Sequence, residues 1–233
     1  MSTTPDVADR LGALRARIDA AARRAGRAPG SVRIVGAAKR QPAPAVAAAV
    51  RAGLRDLGEN YVQEAVAMRS ALAAVLPASL ADAIVWHGIG HLQRNKAREA
   101  LACFSWLHGV DSAALAAALA RRAERDVTVL VQVNLSHEAT KSGVAEAELP
   151  ALLDAVRALP HLRVAGLMTM PAPDPDPERA RPVFATLRAL AERHGLGELS
   201  MGMSDDFEVA VEEGSTLVRI GTALFGPRKE GVT

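Results

Sequence analysis

The chain has 233 residues, 49% of them hydrophobic and 3% aromatic, with a formal net charge of +2. A chain of this size buries roughly 70–75% of its unfolded surface around a sizeable core; its basic and acidic residues are interleaved, and so few aromatics argue against a nucleic-acid stacking surface. Cys103 stands alone, which excludes an intrachain disulfide, no run reaches the roughly 18 apolar residues of a membrane span, and Asp6, Asp9 and Asp19 argue against a targeting leader.

The expectation is one domain over residues 1–233 in the cytoplasm, with neither membrane nor nucleic acid as partner. Val7, Leu11, Leu14 and Ile18 recur at helical spacing and predict a first amphipathic helix ending near Gly26. Strand-like runs then follow at Val32–Ala38, Arg55–Gly58, Ile84–Ile89, Trp106–Val110, Val127–Asn134, Leu162–Met168, Glu198–Met201 and Leu217–Ile220. Helix-compatible stretches lie between them at Val46–Ala52, Val62–Leu76, Ser112–Arg125, Glu146–Leu159 and Glu178–His194. Eight strand-then-helix units predict an α/β fold, a single (β/α)8 TIM barrel preceded by the N-terminal helix. The same alternation permits a doubly wound open sheet. The first strand, however, runs into AAKRQPAP rather than the Gly-rich turn usual in that fold.

Ser200–Gly226 reads SMGMSDDFEVAVEEGSTLVRIGTALFG, where Gly202 and Ser204 follow the seventh run and Gly221 and Thr222 follow the eighth. Glycine lets a backbone N–H approach an anion, a hydroxyl adds a donor, and a helix start adds partial positive charge. In a barrel, phosphate often sits at the loops after strands seven and eight. Only four of the 28 basic residues are lysines, at positions 39, 96, 141 and 229, and Lys39 lies just past the first strand. An amine attacks carbonyls where a guanidinium does not, so a phosphate site with an isolated lysine points to a phosphorylated aldehyde held as a Schiff base, pyridoxal 5′-phosphate first among candidates. A solvated surface lysine is the plain alternative.

Arg219, inside LVRIG, is either a donor to the cofactor's pyridine nitrogen or one half of a salt bridge. Ser204, ahead of Asp205 and Asp206, is expected to cap a helix. Asn60, after the second strand, either hydrogen-bonds the cofactor or caps the next helix. His87 and His91 have the spacing of a metal pair, but Gly88 and Gly90 interrupt the helix such a pair requires, and no metal is expected. PAPDPDP, at 171–177, is a stiff connector or a lid.

The segments AAKRQP, GENYVQEA, WHGIGHLQRNK, HGVDS, QVNLSHEATKSG, GLMTMPAP, SMGMSDDFEVAVEEGST and VRIGTALFG together strongly resemble the YggS/PROSC family of pyridoxal phosphate homeostasis proteins. The resemblance implies a barrel like the N-terminal domain of alanine racemase, with the cofactor on Lys39. It further implies phosphate contacts from Ser204, Gly221 and Thr222, Arg219 facing the pyridine nitrogen, and further contacts from Asn60 and Met201. The chain departs from the usual pattern at Ala38, Arg40 and Gln41, beside the lysine, and at Gly88, where the family commonly has an aromatic residue. The implied role is to hold pyridoxal phosphate as a Lys39 aldimine and to help balance intracellular vitamin B6 and amino-acid pools, with cofactor-requiring apoenzymes as possible recipients. Little or no turnover is expected, since Tyr61 is the only tyrosine and the second domain of the racemases is lacking. A racemase or lyase using the same lysine, and a class I aldolase without cofactor, are the rival readings.

Overall fold

A computed structural model describes residues 6–136 and 142–226. The first helix, α1 (Val7–Arg24), is capped by the Asp6 carboxylate, which accepts from the Ala8 N–H. Its buried face is Leu11, Leu14, Ile18, Ala21 and Ala22, so the sequence periodicity marks the true inner stripe. Burying each of the three large side chains contributes about 1.5–3 kcal/mol.

Eight strands follow: β1 (Arg33–Ala37), β2 (Asp56–Glu59), β3 (Val85–Gly88), β4 (Trp106–Val110), β5 (Val127–Gln132), β6 (Leu162–Met168), β7 (Glu198–Ser200) and β8 (Leu217–Ile220). Each overlaps a predicted run. All pair in parallel with their sequence neighbours, and β8 closes on β1 with Val35 opposite Arg219 and Gly36 opposite Ile220. The closed barrel excludes the open doubly wound sheet.

The helices are α2 (Ala43–Arg51), α3 (Val62–Val75), α4 (Ala78–Asp82), α5 (Ala97–Cys103), α6 (Ala113–Ala120), α7 (Leu149–Arg157), α8 (Arg181–Arg193), α9 (Phe207–Glu212) and α10 (Thr222–Phe225). The α8 helix starts three residues later than the periodicity suggests. Pro182 lies in its first turn, and Pro177–Ala180 forms a 3-10 turn instead, because proline lacks the N–H an interior position must donate. Helices α4 and α5 escape sequence reading because five and seven residues are too few to display a period.

Two apolar layers result. Leu57, Val129, Leu167, Val218 and their neighbours pack outward against the helices, while Val35, Ala37, Ile89, Leu130, Met168 and Leu217 fill the barrel interior. On the outside, α1 is tied to α9 by Arg17–Glu208 and Arg24–Glu212, each at 2.7 Å. Among the described residues no helix is long and apolar enough to cross a membrane.

Candidate functional site at the C-terminal rim

The pairing of β1 with β8 brings their C-terminal ends together: a side-chain carbon added at Gly221 would lie 3.7 Å from Ala37 Cβ. Lys39 and the Gly221–Thr222 turn therefore occupy one rim. Lys39 sits in a tight turn closed by the Gln41 N–H on the Ala38 carbonyl at 2.9 Å, with Arg40 in the left-handed region at φ 56°. Of the departures from the family pattern, Ala38 is buried and Arg40 is exposed.

The turn after β7 requires its glycine. Gly202 has φ +93°, and a Cβ there would stand 2.6 Å from Ala210 Cβ. Ser204 does not cap α9 as expected. That helix begins at Phe207 after Asp206, and Asp206 Oδ1 closes the preceding turn by accepting the Met203 N–H at 2.6 Å. With the turn closed by Asp206, Ser204 Oγ instead accepts the Ala223 N–H at 3.1 Å. The two glycine-and-hydroxyl turns are thus bonded to each other, and the Ser204 hydroxyl keeps its own hydrogen for donation. Met201 stands apart from these residues, fully buried between sheet and helices. Its N–H goes to Leu217 O and its carbonyl accepts from Ser215 Oγ, so it supports the turn from beneath.

Among the described residues Arg219 has no salt-bridge partner. It is 4% exposed, and it donates to Ser200 O at 2.8 Å, to Ser200 Oγ at 2.5 Å and to Thr169 O at 3.0 Å. Burial pushes its pKa down to about 10, against the opposing pull of Asp206, so it remains a cation at neutral pH.

Behind Arg219 runs a hydrogen-bonded chain that no sequence pattern reveals. Asp56 Oδ1 meets His87 Nε2 at 2.9 Å, His87 Nδ1 meets His108 Nε2 at 3.0 Å, and His108 Nδ1 meets Ser200 Oγ at 2.8 Å. Both imidazoles are fully buried. A carboxylate only accepts, so Nε2 of His87 carries its hydrogen, and in neutral rings each remaining role follows: His108 Nε2 donates to His87 and the Ser200 hydroxyl donates to His108. Burial lowers the pKa of His87 despite Asp56, and lowers that of His108 further, with the charges of His87 and Arg219 adding to it.

The consequence for stability has a definite sign. An unfolded chain takes up protons on these two histidines below about pH 6.5, while the folded protein keeps them neutral. Stability is therefore complete above about pH 6.5 and falls as pH drops below it, by at most about 1.4 kcal/mol per pH unit for each ring. Urea titrations across this window are expected to show that loss in the parent protein and a shallower one in His108→Gln. Equal slopes would contradict the neutral assignment.

His87 and His91 are not brought together. His91 is 54% exposed and lies 3.3 Å from Asp111, and among the described residues no three His, Cys, Asp or Glu gather as a metal site would need. Asn60 is half-buried at the end of β2; α3 starts after Tyr61 with no side-chain cap, so capping is not its task. Beside Gly88 lies a cavity of about 370 Å³, with Asn60, Phe104 and Leu107 in its walls. Any side chain at position 88 would first meet Leu107 and Phe104, at 2.9 and 3.0 Å. The 171–177 loop borders the rim, where Pro171 and Pro173 line a cavity with Met203 and Gln132. Of the other lysines, Lys96 pairs with Glu99 at 3.5 Å, and Lys141 and Lys229 lie outside the described residues.

The residues present suit a phosphorylated aldehyde with a ring nitrogen. A Cβ at Gly221 would meet only Ala37, in ordinary van der Waals contact, and the glycine leaves that space to an approaching group. Hydroxyls from Ser204 and Thr222 flank it, and the Arg219 bonds to Ser200 and Thr169 use three of five guanidinium hydrogens.

Known proteins share this fold. The family model "Alanine racemase, N-terminal domain" matches residues 10–229. A pyridoxal phosphate homeostasis protein of Pseudomonas aeruginosa is 46% identical over 230 residues, covering 97% of each chain. The structure of PipY from Synechococcus elongatus with PLP bound superposes with a TM-score of 0.80 at 36% identity, covering 95% of this chain and 100% of that one. An alanine racemase of Clostridium difficile shares the fold at 13% identity and a TM-score of 0.70, with 94% of this chain matching 56% of its length.

Proposed function

Since this chain belongs to the pyridoxal phosphate homeostasis family, built on the alanine racemase N-terminal domain, we propose that it holds pyridoxal 5′-phosphate at the C-terminal rim of its barrel and helps keep cofactor and amino-acid pools in balance. The observation that carries this reading is the convergence of Lys39, the bonded Ser204 and Gly221–Thr222 turns, and Arg219 on the ends of β1, β7 and β8. Bound there, the cofactor would supply an aldehyde to the lysine and an electron-withdrawing ring. Ser204, Gly221 and Thr222 take the phosphate, with Asn60 contributing from β2 and Met201 supporting the Gly202 turn. Arg219 donates to the ring nitrogen and keeps its proton, which limits the ring's capacity to draw electrons.

Low turnover fits the rest of the rim. Tyr61 is 61% exposed at the start of α3, in no position to serve as a buried acid opposite Lys39. Cofactor-requiring apoenzymes of the cytoplasm are the partners this role would serve, and the barrel acts as one domain.

A visible absorbance band that borohydride bleaches tests the cofactor reading. Its absence, with lysine trapping by a phosphorylated sugar instead, would favour an aldolase, and racemisation of an amino-acid panel would favour an enzyme. Ser204→Ala and Thr222→Val are each expected to weaken retention by about 1–3 kcal/mol, the value of a hydrogen bond to a charged group, and the double change by more. Titration with pyridoxal and with its phosphate checks the assignment. Equal losses for both would show that the two hydroxyls do not hold the phosphate.

A further inference from the structure

The rim also holds a buried acid. Glu59, the last residue of β2, is 1% exposed, and the carboxyl of Glu64, from the first turn of α3, is the strongest charge acting on it. Oε2 of each is buried without a hydrogen-bond partner among the described residues. Two ionised carboxylates offer acceptors only, so a bond between them requires a proton. The other charge acting on Glu59 is Lys39, whose turn after β1 is held to the end of β2 by the Ala38 N–H on the Gly58 carbonyl at 2.9 Å.

We propose that Glu59 and Glu64 hold one proton between them and that this proton sets the charge Lys39 faces. With the proton in place the pair carries a single negative charge. When it departs to water, one O–H bond breaks, both carboxylates are charged, and the second negative charge favours the ammonium form of Lys39, which has no lone pair for an aldehyde. The two glutamates are positioning residues acting through Lys39, and the inference rests on Lys39 as the point of attachment.

The expected pH range follows from the surroundings. Burial first, then the charge of Glu64, pushes the Glu59 pKa up to about 8, while Lys39 and the Asn60 N–H pull the other way. The step belongs to the pair rather than to one residue. A solitary lysine gains reactivity steadily with pH, whereas Lys39 should gain less than expected above about pH 8.

Competitive acetylation of the cofactor-free protein, read at Lys39 by mass spectrometry across pH, tests this. The parent profile is expected to flatten near pH 8. Glu59→Gln, whose amide can donate to Glu64 permanently, should restore a single-group profile with about tenfold more neutral amine at the alkaline end. Glu64→Gln, at a half-buried position, should do the same and guards against a Glu59 variant that fails to fold. Carboxyl-carbon NMR of labelled glutamate should show a step near pH 8 that both variants lose. A parent profile of one simple group unchanged by either substitution, or both carboxyls titrating in the ordinary range, would overturn the proposal. Because these measurements use cofactor-free protein, they are separate from borohydride mapping: an adduct on another lysine would overturn the attachment reading and leave the titration result intact.

Discussion

Lys39→Ala is expected to eliminate both the visible band and the borohydride-fixed adduct, while the protein remains folded. The first loss follows from chemistry: among the described residues no other lysine lies beside the two glycine-and-hydroxyl turns, and an arginine does not substitute for one. At the reference pKa only about four in ten thousand lysines are neutral at pH 7, so the local charge at Lys39 matters as much as its position. Retention of the fold follows from its setting in a turn beyond β1, half-exposed and outside both apolar layers. Peptide mapping after reduction should place the parent adduct on Lys39, and thermal unfolding of the variant should match the parent. A major adduct on Lys96, which sits with Glu99 near α5, would defeat the assignment. So would an adduct on Lys141 or Lys229.

Arg219→Glu is expected to be the most destabilising single exchange at the rim. It removes three donated hydrogen bonds, to Ser200 O, Ser200 Oγ and Thr169 O, and points a carboxylate at two carbonyls. Asp206, whose charge now favours the guanidinium, would repel the newcomer. Breaking a buried charged group's partnerships costs about 3–5 kcal/mol, which for a chain of this size lowers Tm by roughly 6–20 °C. The damage should extend along the barrel, because Ser200 also anchors His108. Arg219→Lys keeps the positive charge but cannot span both oxygens with one planar fork, so an intermediate loss is expected. Calorimetry of the three proteins checks the order, and an unchanged Tm in Arg219→Glu would show that the arginine is not structural.

Much of this was readable along the chain. Short apolar runs separated by helix-compatible stretches specify eight parallel units, and Lys39 and the turns at Gly202–Ser204 and Gly221–Thr222 declare themselves by residue type. Their common location follows once the strands are counted, since the C-terminal ends of barrel strands share one face. The first helix was legible for the same local reason: Leu11, Leu14 and Ile18 lie on one side at a period of 3.6.

What only the folded barrel decided depends on which face of each strand points inward. Strands of a parallel barrel are covered on both sides, so their runs are apolar throughout and hydropathy does not distinguish interior from outer face. That choice puts His87, His108, Ser200 and Arg219 inside, joining residues 21, 92 and 19 positions apart into one chain. The fold likewise buries Glu59 and frees Ser204 from the expected cap to bridge to Ala223. Local sequence determines strands, turns and the place of Lys39 just past β1, because these depend on neighbours within a few residues. Hydrogen-bond partners and proton positions depend on closure between β1 and β8, which begin 184 residues apart (33 and 217), and no local pattern encodes that register.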